Sequence, residues 1–289
     1  MPLILFLNLK GGVAKTTNAV AVAESLASRG KRTLFIDADH QCMASELLVG
    51  AERLLLAEEQ KLTLHDLLAS MLRDDFQSDE IARFRHAKAS SILNLQAKMD
   101  CIPCSHRIDE FTTNMARARR GYQSHQEFLQ SLNRLRKKFN RWCNRQYDYT
   151  VVDCPPSFSV QVLFLLGCAE YYIAPSRPDS LSVRGTLYLV ERLRKRGYRS
   201  IHGLGTAWSM VRKQVKQHME IIKACANGSP KFSSLPRPFD TLIPNMAAIA
   251  DSANFTKTFP NYPSKYRGDA APAFQSLCNE IVQRIEEQP

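Results

Sequence analysis

Two lysines five positions apart in a glycine-bearing loop, Lys10-Gly11-Gly12-Val13-Ala14-Lys15-Thr16-Thr17, are the residues of this chain best suited to chemistry. Glycine lacks Cβ, so consecutive backbone N–H groups can turn inward on an anion, and the loop reads as a phosphate cradle. Lys15 then meets the β- and γ-phosphates of a nucleotide, and Thr16 offers its hydroxyl to Mg²⁺. Three carboxylates stand at the ends of apolar runs: Asp37 and Asp39 in Phe35-Ile36-Asp37-Ala38-Asp39-His40-Gln41, and Asp153 in Asp153-Cys154-Pro155-Pro156. Singly, each could be a strand-end cap. Jointly they point at one crevice, because the C-terminal ends of adjacent parallel strands converge where open α/β sheets take their ligands.

The elements that must position these groups follow from apolar patterning. The loop is preceded by the run Leu3 to Leu7 and followed by an amphipathic stretch, Thr17 to Arg29, whose positive N-terminus adds to the attraction for phosphate. Arg32 to Asp39 and Tyr149 to Val152 read as strands, as do Asp100 to Pro103, Tyr171 to Pro175, His202 to Ser209 and Asp240 to Ile243. Helical patterns such as Thr63 to Leu72 and Val183 to Arg196 separate them. The expectation is one α/β domain over residues 1–289, a doubly wound, mostly parallel sheet with helices on both faces. Residues 49–61, Ser229 to Pro238 and Pro260 to Pro272 read as surface loops.

These motifs resemble the signature of the ParA/MinD family of deviant Walker ATPases. The family loop KGGxGKT matches residues 10–16 with Ala14 in place of a glycine, DxDPQ matches Asp37 to Gln41 with His40 in place of proline, and DxPP matches Asp153 to Pro156. The resemblance implies a P-loop NTPase fold, ATP and Mg²⁺, and a nucleotide-sandwich dimer in which Lys10 reaches the partner's phosphates. It implies catalytic roles for Lys10, Lys15 and Asp39, nucleotide contacts from residues 10–17, and magnesium held with Thr16, Asp39 and Asp153. Asp39 would orient the attacking water and Asp37 would support the metal's water shell. The family's late IP-N segment is similar to Ile243-Pro244-Asn245, which places Pro244 beside the adenine, with Trp208 to Arg212 as the other wall. The chain starts almost at its first strand, leaving no room for an N-terminal helix-turn-helix, so the Soj-like branch is expected.

Charge supplies the partner. With 39 basic and 28 acidic residues the net charge is +11, and the sequence pI is near 9.4. The excess concentrates in two stretches, Arg117 to Arg145, whose one carboxylate is Glu127, and Arg192, Arg194, Lys195, Arg196, Arg199, Arg212, Lys213 and Lys216. Such density suits nonspecific DNA held through counterion release. Relatives of the resembled family bind DNA through basic residues of the C-terminal half, which favours the second stretch; a solvated helix face is the bland alternative for both.

No apolar run approaches the roughly 18 to 20 residues that span a bilayer, and Glu286, Glu287, Gln288 and Pro289 follow the last helix pattern, Ala273 to Ile285, where anionic lipid would repel them. A cytoplasmic, nucleoid-associated protein is expected, without membrane attachment. Eight cysteines suit reduced, buried thiols, and Cys101-Ile-Pro-Cys104 supplies half of a tetrahedral site at most. The expected function is a partition ATPase whose ATP-bound dimer binds DNA and whose slow hydrolysis is stimulated by a ParB-like partner, moving a plasmid or chromosome. A protein cargo such as a carboxysome or chemoreceptor cluster is the nearest alternative, and a metal or iron–sulfur carrier using Cys101 and Cys104 the next. A scaffold that binds ATP but barely turns it over is the non-catalytic one.

Overall fold

Side chains alternate between two cores along the first strand: Leu3, Leu5 and Leu7 enter one hydrophobic cluster, Ile4 and Phe6 another on the opposite side. A strand buried on both faces belongs inside a parallel sheet covered by helices on each side. The computed structural model describes residues 2–198 and 200–288, so Arg199 of the second basic stretch and the terminal Pro289 lie outside the described residues. Its strands are β1 (Leu3–Phe6), β2 (Thr33–Asp37), β3 (Met99–Ile102), β4 (Tyr149–Asp153), β5 (Tyr171–Ser176), β6 (His202–Val211) and β7 (Leu242–Pro244). They form one sheet in the order β3-β2-β4-β1-β5-β6-β7, and every pairing is parallel. Strand order reverses at β1, which sets the switch point of the sheet beside the loop that follows it.

The first eight helices are α1 (Lys15–Ser28), α2 (Met43–Val49), α3 (Ala51–Glu59), α4 (Leu64–Met71), α5 (Phe111–Arg119), α6 (His125–Gln146), α7 (Val160–Leu166) and α8 (Ser180–Lys195). They are followed by α9 (Lys216–Ala226), α10 (Ala247–Asp251), α11 (Tyr262–Lys265) and α12 (Ala270–Glu286). Helices α4 to α8 cover one face through Leu67, Phe111, Phe139, Phe164 and Leu189; α1, α2 and α12 cover the other through Val22, Leu48 and Phe274. On α12, Phe274, Leu277, Cys278 and Ile281 are wholly buried at helical spacing, and each large apolar side chain so buried contributes about 1.5–3 kcal/mol.

Helix α1, which leaves the phosphate loop, is anchored by a charge placed in its core-facing stripe. The Glu24 carboxylate accepts from Lys265 Nζ at 2.8 and 2.9 Å, from Tyr266 OH at 2.7 Å and from Ser90 Oγ at 2.8 Å, and both Glu24 and Lys265 are buried. With every oxygen satisfied the pair is tolerated; losing either partner would cost about 3–5 kcal/mol.

All seven strands fall where the sequence places them. Two of the three expected loops do not. Residues 51–59 are helical, and only Ala57 of that helix is buried, so there is no apolar stripe to announce it. In the segment from Pro260 to Pro272, Tyr262, Lys265 and Tyr266 are buried, while Pro272 sits in the first turn of α12, where its missing N–H costs nothing. The segment Ser229 to Pro238 is irregular apart from one short turn at Pro230–Phe232. Helix α4 begins at a capping box in which Thr63 and Asp66 satisfy each other's ends.

Candidate functional site

The loop between β1 and α1 is built around two left-handed residues, Gly12 at φ 69° and Ala14 at φ 62°, ψ 36°. The second is the position where the resembled signature has glycine. Ala14 therefore adopts a conformation that glycine reaches freely and a Cβ resists. An atom added at Gly11 or Gly12 would meet nothing within 4 Å, so the cradle is open on that side, while buried Val13 pins the loop from behind. Ala14 gives α1 no side-chain cap, which leaves the helix's first N–H groups available to an anion.

Lys15 opens α1 and is 7% exposed, its Nζ donating to Lys10 O at 3.1 Å. Burial lowers its pKa, and the carboxylates of Asp153 and Asp39 oppose that shift. Lys10 is half-buried; its backbone N–H donates to Asn8 Oδ1 at 3.0 Å, and among the described residues its ammonium has no ion-pair or hydrogen-bond partner. Asn8 in turn donates to Pro175 O at 2.7 Å and Thr186 Oγ1 at 3.1 Å, joining the loop to β5 and α8.

Asp37 and Asp153 end neighbouring strands as register partners. Asp37 is engaged on all sides: Oδ1 accepts from Asp39 N at 3.0 Å, and Oδ2 from Ser45 N at 2.8 Å and Ser45 Oγ at 2.7 Å. Burial raises its pKa to about 6 against those hydrogen bonds. It holds the loop that carries Asp39 and neighbours Asp153. Asp39 Oδ1 accepts from Gln41 N at 3.1 Å and lies 3.5 Å from His40 Nδ1.

Asp153 is the opposite case. Both its oxygens are buried without a hydrogen-bond partner, with Thr16 and Lys15 near enough to favour its charge without completing a bond to it. Burial, then the neighbouring Asp37, pushes its pKa well up. Two orphaned oxygens beside a threonine hydroxyl fit a hard cation such as Mg²⁺. Among the described residues no group of three or more His, Cys, Asp or Glu could hold a metal by itself. That too suits magnesium, which is bound through one or two protein groups together with phosphate oxygens and water.

Pro244 lines a cavity of about 510 Å³ with Val211, Arg212, Leu242 and Asn245 beyond the C-terminal ends of β6 and β7. Asn18 of α1 donates to Ser209 Oγ of β6 at 2.8 Å, which ties this end of the sheet to the phosphate loop's helix. With its amide oriented to accept, Asn245 takes hydrogen bonds from Arg212 Nε at 2.8 Å and Nη2 at 2.9 Å, so Arg212 belongs to the cavity wall.

The seven candidate DNA-binding residues are not brought together. Arg192, Arg194, Lys195 and Arg196 lie at the end of α8, beside the start of β6, and Arg194 shares a cavity with Gly203. Arg212, Lys213 and Lys216 follow the other end of β6, about 30 Å away for a strand of ten residues. Lys195 pairs with Glu191 and Lys216 with Glu220.

All eight cysteines are free and buried. Cys101 packs in the core on one face of the sheet and Cys104 in the core on the other, so the two thiols do not converge; Cys104 neighbours Cys42 instead. Two residues that hold the site carry little sequence signal. Ser45 bridges Asp37 and Cys104 N (2.8 Å) from within a helix, whereas Asn8 is at least a polar residue ending an apolar strand.

A family model described as an AAA domain matches residues 1–202. The chain is 26% identical over 290 residues to the chromosome-partitioning ATPase Soj of Treponema pallidum (strain Nichols), covering 97% of each. In structure it is similar to apo McdA of Cyanothece, with a TM-score of 0.72 and 19% identity over 98% of this chain and 99% of that one. It is also similar to pNOB8 ParA bound to nonspecific DNA, with a TM-score of 0.67 and 19% identity over 100% and 99% of the two chains.

Proposed function

The chain belongs to the AAA domain family, and within it to the ParA/MinD-type deviant Walker ATPases, and from that premise we propose that it is a positioning ATPase whose ATP-bound dimer holds nonspecific DNA. The observation that carries this reading is the pair of lysines in one loop. Lys15 is turned inward among Asp39 and Asp153, while Lys10 is fixed by its backbone and has, among the described residues, no partner for its charge. A lysine so placed suits the phosphates of a second copy.

In the proposed mechanism the N–H groups of Gly11 to Thr16 and the Lys15 ammonium take the triphosphate, preorganised so that they gain most as charge builds in the transition state. Asp39 positions water at the γ-phosphate, its loop fixed from below by Asp37 and Ser45. Thr16 and Asp153 would hold Mg²⁺, which neutralises charge on the phosphate oxygens when bound. Pro244 and its cavity receive the base. A stimulating partner of the ParB kind completes the cycle, and hydrolysis releases DNA. Strands drawn from residues 3 to 244 into one sheet support treating 1–289 as a single ATPase unit.

The cargo has two readings. Similarity to the carboxysome distribution protein A of Synechococcus elongatus, 29% identical over 184 residues, favours a protein cargo as the second. A carrier role for Cys101 and Cys104 loses its support, since the thiols lie on opposite faces.

The test is binding to a nonspecific duplex with ATP, with ADP and without nucleotide across a salt series, beside anionic vesicles. Binding that requires ATP and weakens steeply with salt is expected; absence of DNA binding in every nucleotide state would sink the reading.

A further inference from the structure

We propose that the outward face of α6, continuous with the end of α8, binds the phosphate backbone of duplex DNA, an inference that rests on the DNA-binding reading above and extends it to a second element. Arg134, Lys137, Arg141 and Arg145 recur every three or four residues and so form one stripe along α6, and all four are exposed. Among the described residues none of them joins an ion pair or donates a side-chain hydrogen bond, and no carboxylate occurs from Phe128 to Tyr147. Like charges at this spacing destabilise a helix, so the stripe is not explained by the helix's own stability.

Beside the stripe lies an open groove of about 420 Å³ floored by Arg136, Asn140 and Gly167. Arg136 is bound into the fold, with Nη2 donating to Leu163 O at 3.0 Å and Nη1 to Asn133 Oδ1 at 3.1 Å, yet its buried Nε has no partner. A Cβ at Gly167 would fall 2.3 Å from that Nε, so the guanidinium can lie there only because residue 167 is glycine.

The two basic stretches, distant in sequence, meet at one atom. Tyr198, just past α8, donates to the same Leu163 carbonyl at 2.9 Å. Helices α6 and α8 both run against the strands, so Arg141 and Arg145 share an edge of the sheet with Arg192, Arg194 and Lys195, opposite the edge that holds the phosphate loop. Most nearby carboxylates are engaged: Glu170 with Leu3 N and Asn140, Glu191 with Lys195, and Asp148 with Arg32. Asp79 lines a cavity with Arg141 and Arg145 but pairs with neither, so the stripe keeps its net positive charge. From Arg134 to Arg145 the stripe spans about 16 Å, the axial length of roughly five phosphates of one strand. DNA on this face would not compete with nucleotide for space.

The test compares wild type with Lys137→Ala/Arg141→Ala/Arg145→Ala on a nonspecific duplex, in ATP, across a salt series. Each lost phosphate contact should flatten the slope of log K against log salt by about 0.9 per protomer, so the triple variant loses nearly three such increments, while single variants lose about one each. ATP binding and ATP-dependent dimer formation should be unchanged, and Arg141→Lys should keep the wild-type slope. A triple variant with the wild-type slope, beside an Arg192→Ala/Arg194→Ala variant that loses binding, would overturn this inference and leave the DNA-binding reading standing. Loss confined to anionic vesicles would make the stripe a membrane contact and overturn it as well. Failure of wild type to bind DNA in any nucleotide state would remove both.

Discussion

The phosphate-loop edge and the α6–α8 face are both rich in charge, and they treat it in opposite ways. At the loop, Lys15, Asp37, Asp39 and Asp153 are buried, with pKa values of Lys15, Asp37 and Asp153 displaced chiefly by burial. On α6, Lys137, Arg141 and Arg145 stand in water without partners among the described residues. Buried charge acts strongly at short range on a few fixed atoms, and costs stability to hold. Exposed charge attracts any polyanion and is screened by salt within about 8–10 Å. One region suits chemistry on a particular group; the other suits attachment to a uniform polymer.

The largest break in that contrast should come at Lys15. Lys15→Ala removes a desolvated charge from the cradle, and nucleotide affinity should fall about 100-fold or more by titration calorimetry, near 3 kcal/mol, whereas removing one exposed arginine of α8 should leave it untouched. Wild-type affinity in Lys15→Ala would mean the cradle is not the nucleotide site. Next in size, Asp39→Ala should bind ATP and DNA but hydrolyse on the order of 100-fold more slowly, read as phosphate release. Turnover at the wild-type rate would move the water-positioning role to another group.

Asp37 sharpens the comparison through pH. Its folded pKa of about 6 lies above the ordinary 3.8, so the native state holds a proton that the unfolded chain has already lost between those values. Its contribution to stability is therefore full below pH 4 and declines as pH rises through 6. Wild type minus Asp37→Asn should lose on the order of 3 kcal/mol of unfolding free energy between pH 4 and 7.5, followed by denaturant melts at each pH. A constant difference would show that the carboxylate is ionised throughout. The same comparison at an exposed α6 arginine should be flat. Smallest is Ala14→Gly, which relieves a Cβ at φ 62° and should raise stability by about 1 kcal/mol in urea melts.

The reasons some of this was legible in the sequence and some was not are physical. Strands buried on both faces are short, largely apolar runs, and the seven stand out because few polar residues, such as Asp100 in β3 and Thr206 in β6, interrupt them. The lysines and carboxylates of the crevice were legible because their chemistry restricts residue type and spacing. Helix α3 was not, since an exposed helix has no apolar stripe to read. Nor was the Glu24–Lys265 pair, because a buried ion pair 241 residues apart leaves no local trace. The left-handed backbone at Ala14 was hidden behind a residue that ordinarily avoids it. Charge counting located both basic stretches, but the division of the second between the two ends of β6, and the meeting of α6 with α8 at Leu163, exist only in three dimensions.

Asn8 gives the molecule a mechanical property. One buried amide bolts together the first lysine of the phosphate loop, the end of β5 and the middle of α8, while a Cβ at Gly185 would stand only 3.2 Å from that of Lys10, so the joint has no slack. Helix α8, about 24 Å long, is then pinned to the loop near its middle, and beyond Thr186 it runs about 14 Å to the end that carries Arg192, Arg194 and Lys195. A rod pinned near its middle passes a tilt at the joint on to its tip, so a displacement of Lys10 would also re-aim the basic edge.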